Sequence, residues 1–107
     1  MADGKFAVGQ IGAKFIVKWE EDTLSGHVGY DITQAEVSDI EHVFTTPDKR
    51  TKKVTATVRG GTTDESESVT TDELFLDVDG PWKIRGLITT TSGDTLPTKF
   101  ATEQVIR

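Results

Sequence analysis

The side chains able to do chemistry are few and scattered. His27 lies in SGHVGYD, which reads as a turn between the first two strands. His42 shares a strand face with Ile40 and Phe44, which predicts a partly buried structural or interface residue, not a base or a metal ligand. The acidic run DELFLDVD holds Asp72, Glu73, Asp77 and Asp79. It lacks the alternating oxygen ligands and closing glutamate of an EF-hand, which leaves room only for a loose surface calcium site. DESE, Asp64 to Glu67, reads as a solvated loop tip. A carboxylate pair for glycoside chemistry would need a cleft, and a chain of 107 residues leaves little material to build one. Serine and threonine together are plentiful, but no Gly-x-Ser-x-Gly elbow occurs. Gly60-Gly61 is followed by neither a helical pattern nor the lysine of a phosphate loop. The expectation is a protein that is not an enzyme and holds no catalytic residue, cofactor or metal.

The elements around these residues read as strands. Apolar residues recur at a spacing of two, the strand period. KFIVKWEED places Phe15, Val17 and Trp19 on one face, and EVSDIEHVFTTPDK places Ile40, His42 and Phe44 together before a Pro47-Asp48 turn. TKKVTATVRGG turns Val54, Ala56 and Val58 inward and Lys53, Thr55, Thr57 and Arg59 outward. TTDESES is predicted as a polar loop, with Val69 and Thr70 starting or ending a short strand. TDELFLDVDG is predicted to make one helical turn capped by Thr71 and broken at Gly80-Pro81. WKIRGLITT then forms a strand with Trp82, Ile84 and Ile88 on its core face. SGD turns a hairpin, and TKFATEQVI closes the fold. About seven short strands divided by turns predict an all-β chain, a single antiparallel β-sandwich. Residues 1–13 form an N-terminal arm or first edge strand and residues 14–107 the domain.

Composition narrows the partners. A formal net charge of −6 argues against nucleic acid, which is bound through a basic footprint. The cluster Lys49, Arg50, Lys52 and Lys53 reads as a solvated hairpin tip. Without cysteine there is no disulfide framework and no thiolate-bound zinc, as expected of synthesis in a reducing cytoplasm. Met1 leads into polar residues without the regions of a signal peptide, and no apolar run is long enough to span a bilayer. A soluble protein with no membrane contact is expected.

Four segments taken in order resemble a family. Val8, Gly9, Ile11 and Gly12 match a Val-Gly-x-Ile-Gly opening, and Asp31, Ile32, Thr33 and Ala35 match an Asp-Ile/Leu-Ser/Thr-x-Ala element. Pro47 and Asp48 match a Pro-Asp-Gly turn. Gly80, Trp82, Lys83, Ile84 and Gly86 match a late Gly-x-Trp-Lys-Ile-x-Gly/Ala strand. From about Phe6 to Val105 the chain resembles small tailed-phage virion proteins related to the N-terminal domain of baseplate upper proteins. Lys49 stands where that turn usually has glycine, which implies a different turn geometry, and His42 stands where the family is aliphatic. The sequence has no counterpart of the long C-terminal arm of a baseplate protein.

The resemblance implies an immunoglobulin-like fold and a structural role in a virion, as a baseplate, neck or tail-fibre adaptor working through protein–protein contacts. The alternatives are a capsid decoration protein and a carbohydrate- or receptor-binding module that recognises the host surface. Expected partners are other virion proteins, with self-association in a symmetric ring as a further expectation and a monomer or weak oligomer in dilute solution. The basic turn at Lys49 to Lys53 and the acidic segment at Asp64 to Glu67 offer complementary patches for such a ring. Candidate partner contacts are Phe6, Val8 and Ile11 in the arm, which packs either on its own domain or on a neighbour, together with Tyr30 and Phe75.

Overall fold

A computed structural model describes residues 5–23, 26–98 and 100–107. Among these the chain is all-β, without helix. Its segments are β1 (Lys5–Ala7), β2 (Lys14–Lys18), β3 (Glu20–Thr23), β4 (Gly26–Gly29), β5 (Val37–Thr45), β6 (Thr51–Thr55), β7 (Thr57–Val58), β8 (Glu65–Val69), β9 (Gly80–Thr90), β10 (Thr95–Pro97) and β11 (Ala101–Ile106). The larger sheet runs β1-β11-β9-β5-β6, with β10 also on β9; the second runs β2-β8-β7, and β3 pairs with β4.

Eleven segments stand where about seven strands were expected: three strands break, two of them changing partner, and β4 falls where a turn was expected. β2 pairs with β8, and its continuation β3 pairs with β4. The alternation in TKKVTATV runs unbroken through Ala56, yet the strand changes sheet there. Ala56 donates its N–H to the Ile40 carbonyl at 2.9 Å in the larger sheet, and Thr57 already pairs with Glu67 in the smaller one. β10 and β11 both lie along β9, on residues 87–89 and 80–84 respectively. One pairing departs from the antiparallel expectation: β1 lies parallel to β11, with Phe6 opposite Val105. The described part of the arm therefore packs on its own domain; residues 1–4 lie outside the described residues.

The two sheets meet face to face through side chains of odd-numbered residues on β2 and even-numbered residues on β5 and β9. Phe15 stacks edge-on to Phe44 at 4.9 Å between ring centroids, and Phe44 meets Trp82 at 6.3 Å. Phe15, Val17, Trp19, Phe44, Ala56, Trp82, Ile84 and Ile88 are buried as predicted, while Ile40, Val54 and Val58 pack at the margin. Ala13, Ile32, Leu76 and Val105 complete the core. Such burial is the main favourable term for a domain of this size, about 1.5–3 kcal/mol for each large side chain.

Three local expectations are corrected. His27 belongs to β4 opposite Asp22, in a strand and not a turn; its side chain lies outside the described residues. The segment after Thr71 makes a turn and not a helix. Asp72, not Thr71, caps it, accepting the Leu74 N–H at 2.8 Å and, through its backbone carbonyl, the Phe75 N–H at 3.1 Å. DESE is not a loop tip, since Glu65 to Val69 form β8 between β2 and β7.

The β5–β6 hairpin tip is also more than a solvated cluster. The Arg50 guanidinium grips Asp77 through two bonds of 2.8 and 3.0 Å and Asp48 through one of 2.9 Å. Lys52 donates to the Phe75 carbonyl at 2.6 Å and lies over the Phe75 and Trp82 rings. The Arg50 bonds, with Lys52 beside them, lower the Asp77 carboxyl to about 2. Hairpin and 72–79 loop are thereby joined. Lys49 adopts φ 68°, the left-handed conformation that glycine favours, so the turn keeps this geometry with a lysine in it. Lys49→Gly is expected to stabilise the fold by about 1 kcal/mol, raising Tm by roughly 5 °C in calorimetry.

Candidate functional site

The buried polar chemistry gathers at one place between the sheets; sequence reasoning placed His42 and Trp19 on core faces and missed Ser66 and Ser68. His42 on β5 is 0% exposed. Its Nδ1 lies 2.7 Å from Ser68 Oγ and its Nε2 2.8 Å from Ser66 Oγ, both on β8. Trp19 Nε1–H donates to the same Ser66 Oγ at 3.0 Å.

β8 delivers these hydroxyls because Glu65, Ser66, Glu67, Ser68 and Val69 alternate across a strand. Ser66 and Ser68 face inward, while Glu67 reaches Lys14 at 3.3 Å and Glu65 reaches Arg59 at 2.8 Å. Small side chains are required there, since a bulky residue would collide with the Trp19 indole and the His42 imidazole.

A neutral imidazole can serve the four groups with Nδ1 protonated. Ser66 Oγ accepts from Trp19, so its own O–H must find an acceptor. His42 Nε2 is the acceptor on offer, which leaves Nδ1–H to donate to Ser68 Oγ. In this neutral tautomer both ring nitrogens and the indole N–H are paired, and each serine oxygen has a partner. Burial pushes the His42 pKa from 6.5 down to about 4, because a charged imidazole would be cut off from water. A serine hydroxyl on a histidine nitrogen is also the contact of a nucleophile with its base. Here Ser66 is fully enclosed and one of its two lone pairs is occupied by an indole N–H. What this arrangement does is tie β5 to β8 across the core.

The outward-facing residues present a different chemistry. Backbone bonds from Gly9 to Leu76 and from Gly12 to Thr70, both 2.8 Å, stitch the 8–12 loop to the 70–76 segment. Thr70 Oγ strengthens the seam by donating to the Gln10 carbonyl and accepting from Ala13 N–H. On these pinned loops Ile11 is 61% exposed and Leu74 is 70% exposed. Ile16 and Val69 are exposed on the outer face of the smaller sheet.

Of the five candidate contacts, Ile11 alone is largely exposed. Phe6 sits on Phe15 at 4.4 Å, Val8 and Tyr30 pack against the core, and Phe75 lies between Phe44 at 5.0 Å and Trp82 at 6.0 Å. Leu74, Ile16, Val69, Leu96 and Phe100 are exposed apolar residues that the sequence reading did not single out. For Leu74 a signal existed, since it lies beside an Asp-Glu pair in a turn instead of on an alternating face. Phe100 carries the Arg85 guanidinium over its ring at 4.7 Å. Among the described residues no group of three or more acidic, histidine or cysteine side chains is placed to hold a metal.

Comparison of the chain with protein-family models, curated proteins and solved structures gives no match.

Proposed function

We propose that the chain is an immunoglobulin-like structural module of a tailed-phage virion, acting as a baseplate, neck or tail-fibre adaptor through protein–protein contacts and without catalysis. The fold part of this reading is supported by the strand order. Immunoglobulin domains place three late and middle strands together in one sheet and the second strand beside the fifth in the other. β11-β9-β5 with β6 at the side, opposed to β2-β8-β7, follows that plan, and β1 joins the last strand.

The observation that carries the functional part is the division between inside and outside. The polar groups of His42, Ser66 and Ser68 are turned inward and spent on one another, whereas Ile11 and Leu74 are held outward on pinned loops. Apolar side chains displayed on a rigid support suit a protein partner, because little ordering entropy remains to be lost on docking. The virion setting comes from the resemblance of the Val8–Gly12, Asp31–Ala35 and Gly80–Gly86 segments. Two of those motif glycines, Gly9 at φ 82° and Gly12 at φ 83°, hold the loop that presents Ile11.

Mass spectrometry of purified particles is expected to find the protein in many copies. Ile11→Asp with Leu74→Asp is expected to lower its occupancy at least tenfold while leaving the isolated protein folded. Absence from intact particles would remove the virion reading. Full occupancy of the double variant would remove these loops as the contact.

A further inference from the structure

We propose that the outer edge of β2 accepts an extended acidic segment of another protein as an added strand of the β2-β8-β7 sheet. The inference rests on the adaptor reading for its biological setting, but its physical basis is separate.

β2 is an edge strand: among the described residues its backbone ladder runs to β8 alone. In an antiparallel pair, alternate residues direct both backbone groups to the partner and the rest direct both away. Thr70 N–H donates to the Ala13 carbonyl and Trp19 N–H donates to the Asp64 carbonyl, at the two ends of the pairing. The odd residues therefore face β8, and Lys14, Ile16 and Lys18 aim their N–H and C=O groups away from the sheet. This is a template for strand addition. The other edges of the two larger sheets are poorer. β1 and β10 have three residues each, with Pro97 in the second, and β7 has two. β6 turns Thr51, Lys53 and Thr55 outward with no apolar residue among them.

Charge selects the occupant. The solvent face of β2 reads Lys14, Ile16, Lys18, with Ile16 42% exposed between two cations. A second copy of β2 laid antiparallel about Ile16 would set Lys14 against Lys18 at both ends. A parallel in-register copy would set each lysine against itself. Like charges directly opposite are destabilising, so the edge rejects its own copy. It fits a strand bearing carboxylates opposite Lys14 and Lys18 and an apolar residue opposite Ile16. The neighbour on the other side, β8, already supplies Glu65 opposite Lys18 and Glu67 to Lys14.

The test uses the full chain and the synthetic peptide Thr-Glu-Thr-Val-Thr-Glu-Thr, with Lys in place of both Glu as the control. In the free protein the amides of Lys14, Ile16 and Lys18 are expected to exchange with solvent much faster than those of Phe15 and Val17. The acidic peptide is expected to slow that exchange and shift those amide resonances, binding about tenfold or more tightly than the basic peptide. Ile16→Pro deletes an outward N–H and leaves the β8 ladder untouched, so it is expected to abolish binding in a folded protein. Should that variant fail to fold, Lys14→Ser with Lys18→Ser must erase the preference for the acidic peptide. Slow exchange at all five amides of the free protein, equal binding of the two peptides, or shifts confined to other surfaces would overturn the inference. A protein present in particles whose β2 edge ignores the peptide would lose this inference and keep the adaptor reading. A protein absent from particles that binds the acidic peptide would do the reverse.

Discussion

Gly86→Ala is expected to lower the unfolding free energy by about 3 kcal/mol, the upper end of what overpacking a single methyl group costs. A Cβ at this position would lie 2.3 Å from Trp19 Cζ2, with Cη2 at 2.9 Å and Cε2 at 3.0 Å. The indole has little freedom to yield, since its N–H is bonded to the enclosed Ser66 hydroxyl. Moving the ring would strip that bond and disturb the His42 pair behind it. Chemical denaturation of Gly86→Ala, Trp19→Phe and the double variant measures the coupling. The double variant is expected to be more stable than the sum of the single losses implies, because phenylalanine vacates the space the new methyl needs. A loss below about 0.5 kcal/mol for Gly86→Ala would mean that the indole does not lie on β9.

Acid is expected to weaken the fold through His42 by about 3 kcal/mol, with the loss lying between pH 6.5 and about 4. A base whose pKa is lower folded than unfolded binds fewer protons in the folded state between those two values. Stability thus rises with pH across the window and is fully present above 6.5. Protonation makes donors of both ring nitrogens, so an imidazolium can accept from neither serine. Glu103 works in the opposite sense: burial raises its carboxyl pKa, so its protonation relieves strain and offsets part of the loss. Asp31, Asp48 and Asp77, whose pKa values are lowered by their hydrogen-bond partners, give up their contribution only at lower pH. In a His27→Gln background, urea denaturation as a function of pH isolates His42. His42→Leu is expected to flatten the profile over this window. At pH 7 it is expected to cost about 2 kcal/mol, because the Ser66 hydroxyl is left without an acceptor. An unchanged slope in that variant would assign the acid sensitivity elsewhere.

The strands whose inward residues are apolar were legible. Phe15, Val17 and Trp19, then Trp82, Ile84 and Ile88, follow the period of two and bury as that period requires. β8 follows the same period, but its inward residues are Ser66 and Ser68, and a hydrophobic pattern cannot register two serines. Their inward place depends on His42 and Trp19, which stand 24 and 47 residues from Ser66 in the chain. The candidate site was hidden for this reason: His42 was placed on the core face, and its partners were read as a solvated loop. The sheet change at Ala56 was equally silent, because inward and outward faces continue across it without a slip. Long-range partners also decide the 72–79 segment, where Arg50 and Lys52 hold Asp77 and the backbone in a turn. A local reading saw only helix-starting acids. Exposure at Ile11 and concealment at Phe6 and Val8 differ because the arm is paired with β11 up to Ala7 and leaves it through the Val8–Ile106 bond.

The parallel pairing of β1 with β11 has a mechanical meaning. A pull applied backward at Lys5 and forward at Ile106 acts along both strands in opposite directions. The bonds joining Lys5, Phe6 and Ala7 to Gln104, Val105 and Ile106 are then loaded together in shear. Val8 N–H on the Ile106 carbonyl, at 2.8 Å, carries part of the same load. An antiparallel hairpin pulled from its open end surrenders its bonds one at a time, whereas these must give way at once. This three-residue pairing at the edge of the larger sheet is thus the one that a tension between the two ends meets first, in the direction in which it is hardest to break.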